Sequence, residues 1–252
     1  MSTRTGFRIE DQDGIRVVTI DRPEAKNALS GVMRQDLCDL LAAAERDDAV
    51  GVVVLTAVDP VFTAGVDFKD VATAGPLTDL RFAVNPGRAL RAMHTPVISA
   101  VNGACVSGGL EIVLSSSFIV ASERARFADT HARLGVVPGW GLTALLPRAI
   151  GVRRAREMSI TGNFVDAATA LQWGLVNHVV AHEDLLPYTL ELAGQIATTG
   201  AVREVLSLYE RGEDLSFNAA LALETSHVAG RPVDLAAFTR AGRETAARQR
   251  RG

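Results

Sequence analysis

An α/β fold, with parallel strands joined by crossover helices and a helical C-terminal region, is predicted for this 252-residue sequence by three observations. Apolar, β-branched runs alternate with stretches of helical spacing up to about residue 130, the pattern of successive βα units. The run VGVVVLTAV at 50–58 is apolar throughout, as a strand covered on both faces requires. Beyond about residue 139 the helical period continues almost unbroken to the C-terminus.

The elements follow in order. IRVVTI at 15–20 alternates and is β-branched, a strand signal. LSGVMRQDLCDLLAAAERD at 29–47 spaces Val32, Leu37, Leu40, Leu41 and Ala44 as one helix face, with Ser30 as its N-cap. The strand at 50–58 comes next, then a helix over about 78–93. PVISAVNG at 96–103 is a third strand that opens on Pro96, where a missing N–H is tolerated. A helix over 108–116 leads to short strands at 118–122 and 125–129. In the helical half only LVNHVVA at 175–181 breaks the period, and Gly151, Gly162, Gly200 and Gly230 punctuate it. The stretch 183–250 reads as three or four helices.

Composition narrows the function classes. With 48% apolar and 22% charged residues the chain can bury a large core. A net charge of −3 leaves no electrostatic footprint for nucleic acid, and RQRRG at 248–252 is too short to supply one. Cys38 and Cys105 show no metal-ligand or redox spacing and read as small buried hydrophobes in a reducing compartment. His178, His182 and His227 show no spacing with acids that would make a metal site. No apolar leader and no run of 18 apolar residues is present, so a cytoplasmic protein is expected.

The motif that carries chemistry is VSGGLEIVLSSS at 106–117, which sets the single carboxylate Glu111 in an apolar and small-residue run. A strand, a glycine turn and a helix start leave backbone N–H groups without intrahelical partners. Gly108 and Gly109 let a ligand approach them without a Cβ in the way. SGGLE thus offers an electrophilic amide and a candidate general base within one helical turn, which a carbonyl substrate needs. The alternative reading of Glu111 is a first-turn acid that complements the helix dipole. PVFTAGVDFKDV at 60–71 offers a second turn of the same kind, at Ala64-Gly65. The dinucleotide pattern fails at Cys105, no Lys-Ser/Thr pair follows the glycines, and a nucleophile elbow at Ser107 lacks its first glycine. His94 ends a helix before Pro96, where a cation suits the dipole.

RPEAKNALS (22–30), FTAGVDF (62–68), PVISAVNGACVSGGLEIVLSS (96–116), FADTHARLGVVPGWG (127–141) and ITGNFVDAATALQWGLVNHVV (160–180) together resemble the enoyl-CoA hydratase/isomerase (crotonase) superfamily. The resemblance implies a spiral core of ββα units over 1–200 that binds acyl-CoA and a helical trimerisation region over 201–252. Homotrimers or homohexamers are implied with it. It also implies an oxyanion hole from the N–H groups of Val66 and Gly108. Coenzyme A contacts are implied at Ala25, Lys26, Ala64, Gly65, Asp67 and Phe68, and an acyl-pocket wall at Trp140. Coenzyme A enters as part of the substrate; no metal, flavin or nicotinamide is implied, nor a membrane partner.

Hydratases of the superfamily use two glutamates that share a water. Glu111 stands at the first position; at the second, four residues before Gly135, stands His131. A histidine can also carry a proton at neutral pH, so the implied function is addition of water to a trans-2-enoyl-CoA by Glu111 and His131. The missing glutamate leaves hydrolysis, carbon–carbon cleavage or isomerisation of another acyl-CoA, or silent acyl-CoA binding, as alternatives. The segment 69–92 is expected to line the acyl tunnel.

Overall fold

The computed structural model describes residues 2–69, 84–196, 200–230, 238–239 and 242–243. Most of the expected acyl-tunnel segment, 70–83, and the start of the helix expected at 78–93 lie outside them. The chain divides into two compact units, Met1–Leu206 and Ser207–Gly252.

In the first unit a seven-stranded sheet runs in the order β1-β2-β3-β4-β6-β8-β11. Its strands are β1 (Ser2–Arg4), β2 (Phe7–Gln12), β3 (Ile15–Ile20), β4 (Val52–Ala57), β6 (Val97–Val101), β8 (Phe118–Ser122) and β11 (His178–Val180). The β1, β2 and β3 strands pair antiparallel, and every step from β3 to β11 is parallel. A four-stranded sheet, β10-β9-β7-β5, comprises β5 (Val61–Thr63), β7 (Ala104–Val106), β9 (Arg126–Ala128) and β10 (Val165–Asp166).

All six residues of β4 are buried. Val53, Leu55 and Ala57 join one apolar cluster, while Val52 and Val54 join a second. This alternation puts core on both faces of the strand, which is why its sequence shows no polar side. Helix α1 (Gly31–Glu45) covers the first face with Met33, Leu37, Leu40, Leu41 and Ala44, and Ser30 caps it by accepting from Met33 N–H. Val32 is a correction to the predicted face: it is 61% exposed. On the second face lies Leu185–Gln195, a helix that contributes Leu185 and Ala193.

The predicted strand at 96–103 holds β6, and β7, which the sequence reading did not place, begins just beyond it at Ala104, after the Asn102-Gly103 step where the chain passes from one sheet to the other. Helix α2 (Pro86–Arg91) lies within the predicted 78–93, and α3 (Gly108–Leu114) within 108–116. Further on come α4 (Leu142–Ile150), α5 (Val152–Thr161), α6 (Ala167–Trp173) and α7, the Leu185–Gln195 helix. Helix α8 (Gly200–Gly212) spans the division between the units, and α9 (Phe217–Val228) belongs to the second. No helix among the described residues is long and apolar enough to cross a membrane.

Candidate active site

Two turns meet at the ends of β5 and β7. Gly65 holds φ +88°, and a Cβ there would stand 2.9 Å from Val106 O and 3.1 Å from Gly108 N. Only glycine allows both this conformation and this approach. At Gly108 a Cβ would lie 2.9 Å from Cζ3 of Trp140, so the indole rests against the second turn. Residues 64–67 are zipped to the 26–29 loop: Ala64 N–H donates to Lys26 O at 3.1 Å, Leu29 N–H to Gly65 O at 2.8 Å and Asp67 N–H to Leu29 O at 3.0 Å. That parallel bridge uses the groups on either side of Val66, so the Val66 N–H points away from it. Neither Val66 N–H nor Gly108 N–H meets an acceptor among the described residues.

The loop pair is braced by ions and amides. Arg22 bonds Asp67 Oδ2 at 2.6 Å and the Ala28 carbonyl at 3.0 Å. Asp67 Oδ1 also accepts from Lys69 N–H, the N-terminal role its position suggests. Asn27, fully buried, donates from Nδ2 to Val58 O and Val61 O. Lys26 and Phe68 are exposed, while Gly65 and Asp67 are buried. These contacts bring the 25–26 and 64–68 segments side by side.

Glu111, on the first turn of α3, is 2% exposed. Its Oε1 accepts from Trp140 N–H at 2.6 Å and from Leu142 N–H at 3.3 Å. The Trp140 carbonyl is in turn held by Arg91 Nη1 at 2.9 Å, a guanidinium that also reaches Ser115 Oγ. Burial pushes the Glu111 carboxyl above its usual range; Asp129 adds to the rise, while the two amides and His131 oppose it without cancelling it. This carboxylate is buried with one oxygen fixed and the other, Oε2, turned to His131 Nε2 at 3.8 Å.

His131 follows β9. Its Nδ1 lies 2.6 Å from Asp129 Oδ1, which also takes the His131 backbone N–H at 3.2 Å. Burial pushes the Asp129 carboxyl up, but hydrogen bonds from His131 and Ser159 prevail and hold it below the ordinary range. The preceding Thr130 is tied to Ser107: its N–H donates to Ser107 Oγ at 3.0 Å and the two hydroxyls are 2.7 Å apart. Ser107 has φ +49°, a strained value for a residue with a Cβ, and its hydroxyl is engaged structurally. The turn bearing Gly108 and the segment bearing His131 are therefore locked together.

Of the predicted site, Glu111, His131, Gly108, Gly65, Val66 and Trp140 converge, and Ala25, Lys26, Ala64, Asp67 and Phe68 form the neighbouring loop pair. Sequence reasoning missed Arg91, Arg22, Asn27 and the Ser107–Thr130 tie; a left-handed Asn27 at φ +54° is the kind of signal an Asn in a loop can carry. Burial raises both thiols, and Cys105 is fully buried, so neither is poised as a nucleophile. Among the described residues no cluster of three or more His, Cys, Asp or Glu side chains is placed to hold a metal ion.

The sequence profile of the Enoyl-CoA hydratase/isomerase family matches residues 10–228. Probable enoyl-CoA hydratase 1, peroxisomal, of Arabidopsis thaliana is 35% identical over 219 residues, which are 85% of this chain and 82% of the plant protein. The short-chain-enoyl-CoA hydratase of Clostridium acetobutylicum is 34% identical over 223 residues, 86% of this chain and 85% of that one. The crystal structure of enoyl-CoA hydratase from Mycobacterium tuberculosis H37Rv is similar with a TM-score of 0.75 at 43% identity, covering 88% of this chain and 96% of the other. Profile, relatives and fold agree, and the chain belongs to the enoyl-CoA hydratase/isomerase family.

Proposed function

We propose that this protein is an enoyl-CoA hydratase, a hydro-lyase that adds water across the double bond of a trans-2-enoyl-CoA thioester. The observation that carries the reading is the 3.8 Å separation of Glu111 Oε2 and His131 Nε2 beside two glycine turns whose N–H groups are unpaired among the described residues. That gap is too long for a hydrogen bond but lets both atoms reach one water oxygen.

The Val66 and Gly108 amides form the oxyanion hole and hold the thioester oxygen. Glu111 Oε2 takes a proton from water as the oxygen bonds to C3. The C2=C3 pair moves toward C2, and charge collects on the thioester oxygen as an enolate. His131 Nε2–H then gives its proton to C2. A proton passed from Glu111 back to His131 restores both groups. A raised Glu111 carboxyl is the stronger base for the first step, and His131 replaces a second carboxylate as acid.

The nucleotide end of coenzyme A lies along Ala25, Lys26, Ala64, Gly65, Asp67 and Phe68, with the exposed Lys26 ammonium near phosphate. Asp67 serves through its bond to Arg22, and Trp140 walls the acyl pocket beside Gly108. Coenzyme A is the only cofactor moiety, and it arrives with the substrate. Exposed Tyr209, Phe217 and Val228 in the second unit support assembly of copies into trimers or hexamers. Free thiols at Cys38 and Cys105 support a cytoplasmic setting.

The test is hydration of short- and long-chain trans-2-enoyl-CoA, followed by loss of enoyl absorbance. Wild type turns over, and Glu111→Gln and His131→Ala each lose on the order of 10²–10⁴-fold in kcat. Tight thioester binding without hydration by wild type would sink the reading.

A further inference from the structure

We infer that Asp129 is the positioning residue that lets a histidine stand where a second carboxylate would otherwise serve, by fixing the ring so that Nε2 alone faces Glu111. The inference rests on the hydratase reading above. It starts from a chemical difference: a carboxylate presents two equivalent oxygens, whereas an imidazole has two nitrogens pointing apart. If Nε2 held the fixed proton and Nδ1 the exchangeable one, the acid would point away from the substrate.

Asp129 removes that ambiguity. It is 2% exposed, and its carboxyl, held below the ordinary range, stays ionised and can only accept. At 2.6 Å from Nδ1 it therefore takes the Nδ1–H, and the proton that comes and goes is the one on Nε2. The same Oδ1 accepts the His131 backbone N–H, so one oxygen fixes both the ring and the chain that carries it. Around this pair the backbone is anchored as well: the His131 carbonyl accepts from Leu134 N–H at 3.0 Å and Val136 N–H at 3.1 Å, and Thr130 is tied to Ser107. Arg133 is engaged elsewhere, with Thr161 and Asn163, so it does not compete for Asp129.

No bond to substrate is made by Asp129. In the protonation of C2 the Nε2–H bond breaks and the C2–H bond forms, while Nδ1–H stays on the ring throughout. The neutral imidazole left behind carries its lone pair on Nε2, aimed at Glu111 Oε2 and ready to take back the proton that came from water.

Two readouts test this. In wild type labelled with ¹⁵N-histidine, nitrogen shifts of the neutral His131 ring, assigned with His131→Ala, are expected to show protonation at Nδ1. Asp129→Asn is expected to mix the two tautomers and to lower kcat by about 100-fold, with KM within about threefold of wild type, because thioester binding does not use this group. The wild-type spectrum answers even if the variant folds poorly. Hydration by wild type together with a neutral ring protonated at Nε2, or with an Asp129→Asn kcat equal to wild type, would overturn the role of Asp129 and leave the hydratase reading standing. Absence of hydration by wild type would overturn that reading instead.

Discussion

Burying the Glu111 carboxyl costs stability at any pH where it must ionise, because desolvation disfavours the charged form. Burial raises its carboxyl above the ordinary range, so the folded chain holds this proton more tightly than the unfolded chain does. From the ordinary glutamate range up to the raised folded value, the folded state binds the extra proton, and stability falls as pH rises through that window. Gln at 111 has no charge to desolvate and keeps an oxygen for the Trp140 and Leu142 amides. Glu111→Gln is therefore expected to unfold at an equal or higher urea concentration than wild type at pH 7, and the gap should close toward pH 4. A wild-type advantage at pH 7 would mean that the amides outweigh burial. The acid itself was legible in the sequence as a lone carboxylate after two glycines, although the residues alone left a dipole-complementing role equally open. Its partners were less so: Trp140 N–H lies 29 residues away, and the chemistry at 131 was visible only through the resemblance.

At the scale of elements, the two glycine turns should fail in different ways. Alanine at Gly65 meets backbone, Val106 O, from a φ that L side chains rarely adopt, so the strand end itself must move. Alanine at Gly108 meets the Trp140 ring at 2.9 Å, so the indole must shift or carry the turn with it. Both substitutions are expected to cut hydration by about 10²–10³-fold, the cost of losing one oxyanion donor. Only Gly108→Ala should also shift tryptophan emission, measured with Trp173→Phe as background. An unchanged kcat in Gly108→Ala would show that this amide does not meet the thioester. The strands that sequence alone located to the residue, 15–20 and 118–122, are apolar and sharply bounded. By contrast β2, whose Glu10, Asp11 and Gln12 are exposed, was missed because it lacks a buried face there, and its pairing with β3 sets it. The three-residue β7 was missed as well: it is too short to show a period, and its pairing with β5 and β9 sets it.

Over the whole molecule, the site is assembled from four stretches, 22–30, 62–69, 106–111 and 129–142, each carried by a different part of the spiral. Periodicity finds the strands that deliver them, but no local pattern reports that Arg22 meets Asp67 across 45 residues or Arg91 meets the Trp140 carbonyl across 49. Such ties decide whether the stretches form one binding surface, and ligand-linked stability measures that directly. A ligand that binds only the folded state at a hundred times its Kd adds ~2.7 kcal/mol. In a domain of this size each kcal/mol moves Tm by ~2–4 °C, so a trans-2-enoyl-CoA should raise the Tm of Glu111→Gln, in which turnover is expected to be lost, by about 5–11 °C. On the proposed binding mode, the pantetheine thioester of the same acyl group, at the same concentration, would keep the oxyanion and acyl contacts but has no nucleotide to lie along Lys26 and 64–68. Its shift should be smaller by several degrees, and Lys26→Ala should reduce the coenzyme A shift while leaving the pantetheine shift unchanged. Equal shifts from the two thioesters would remove the loop pair from substrate binding and confine recognition to the neighbourhood of Glu111.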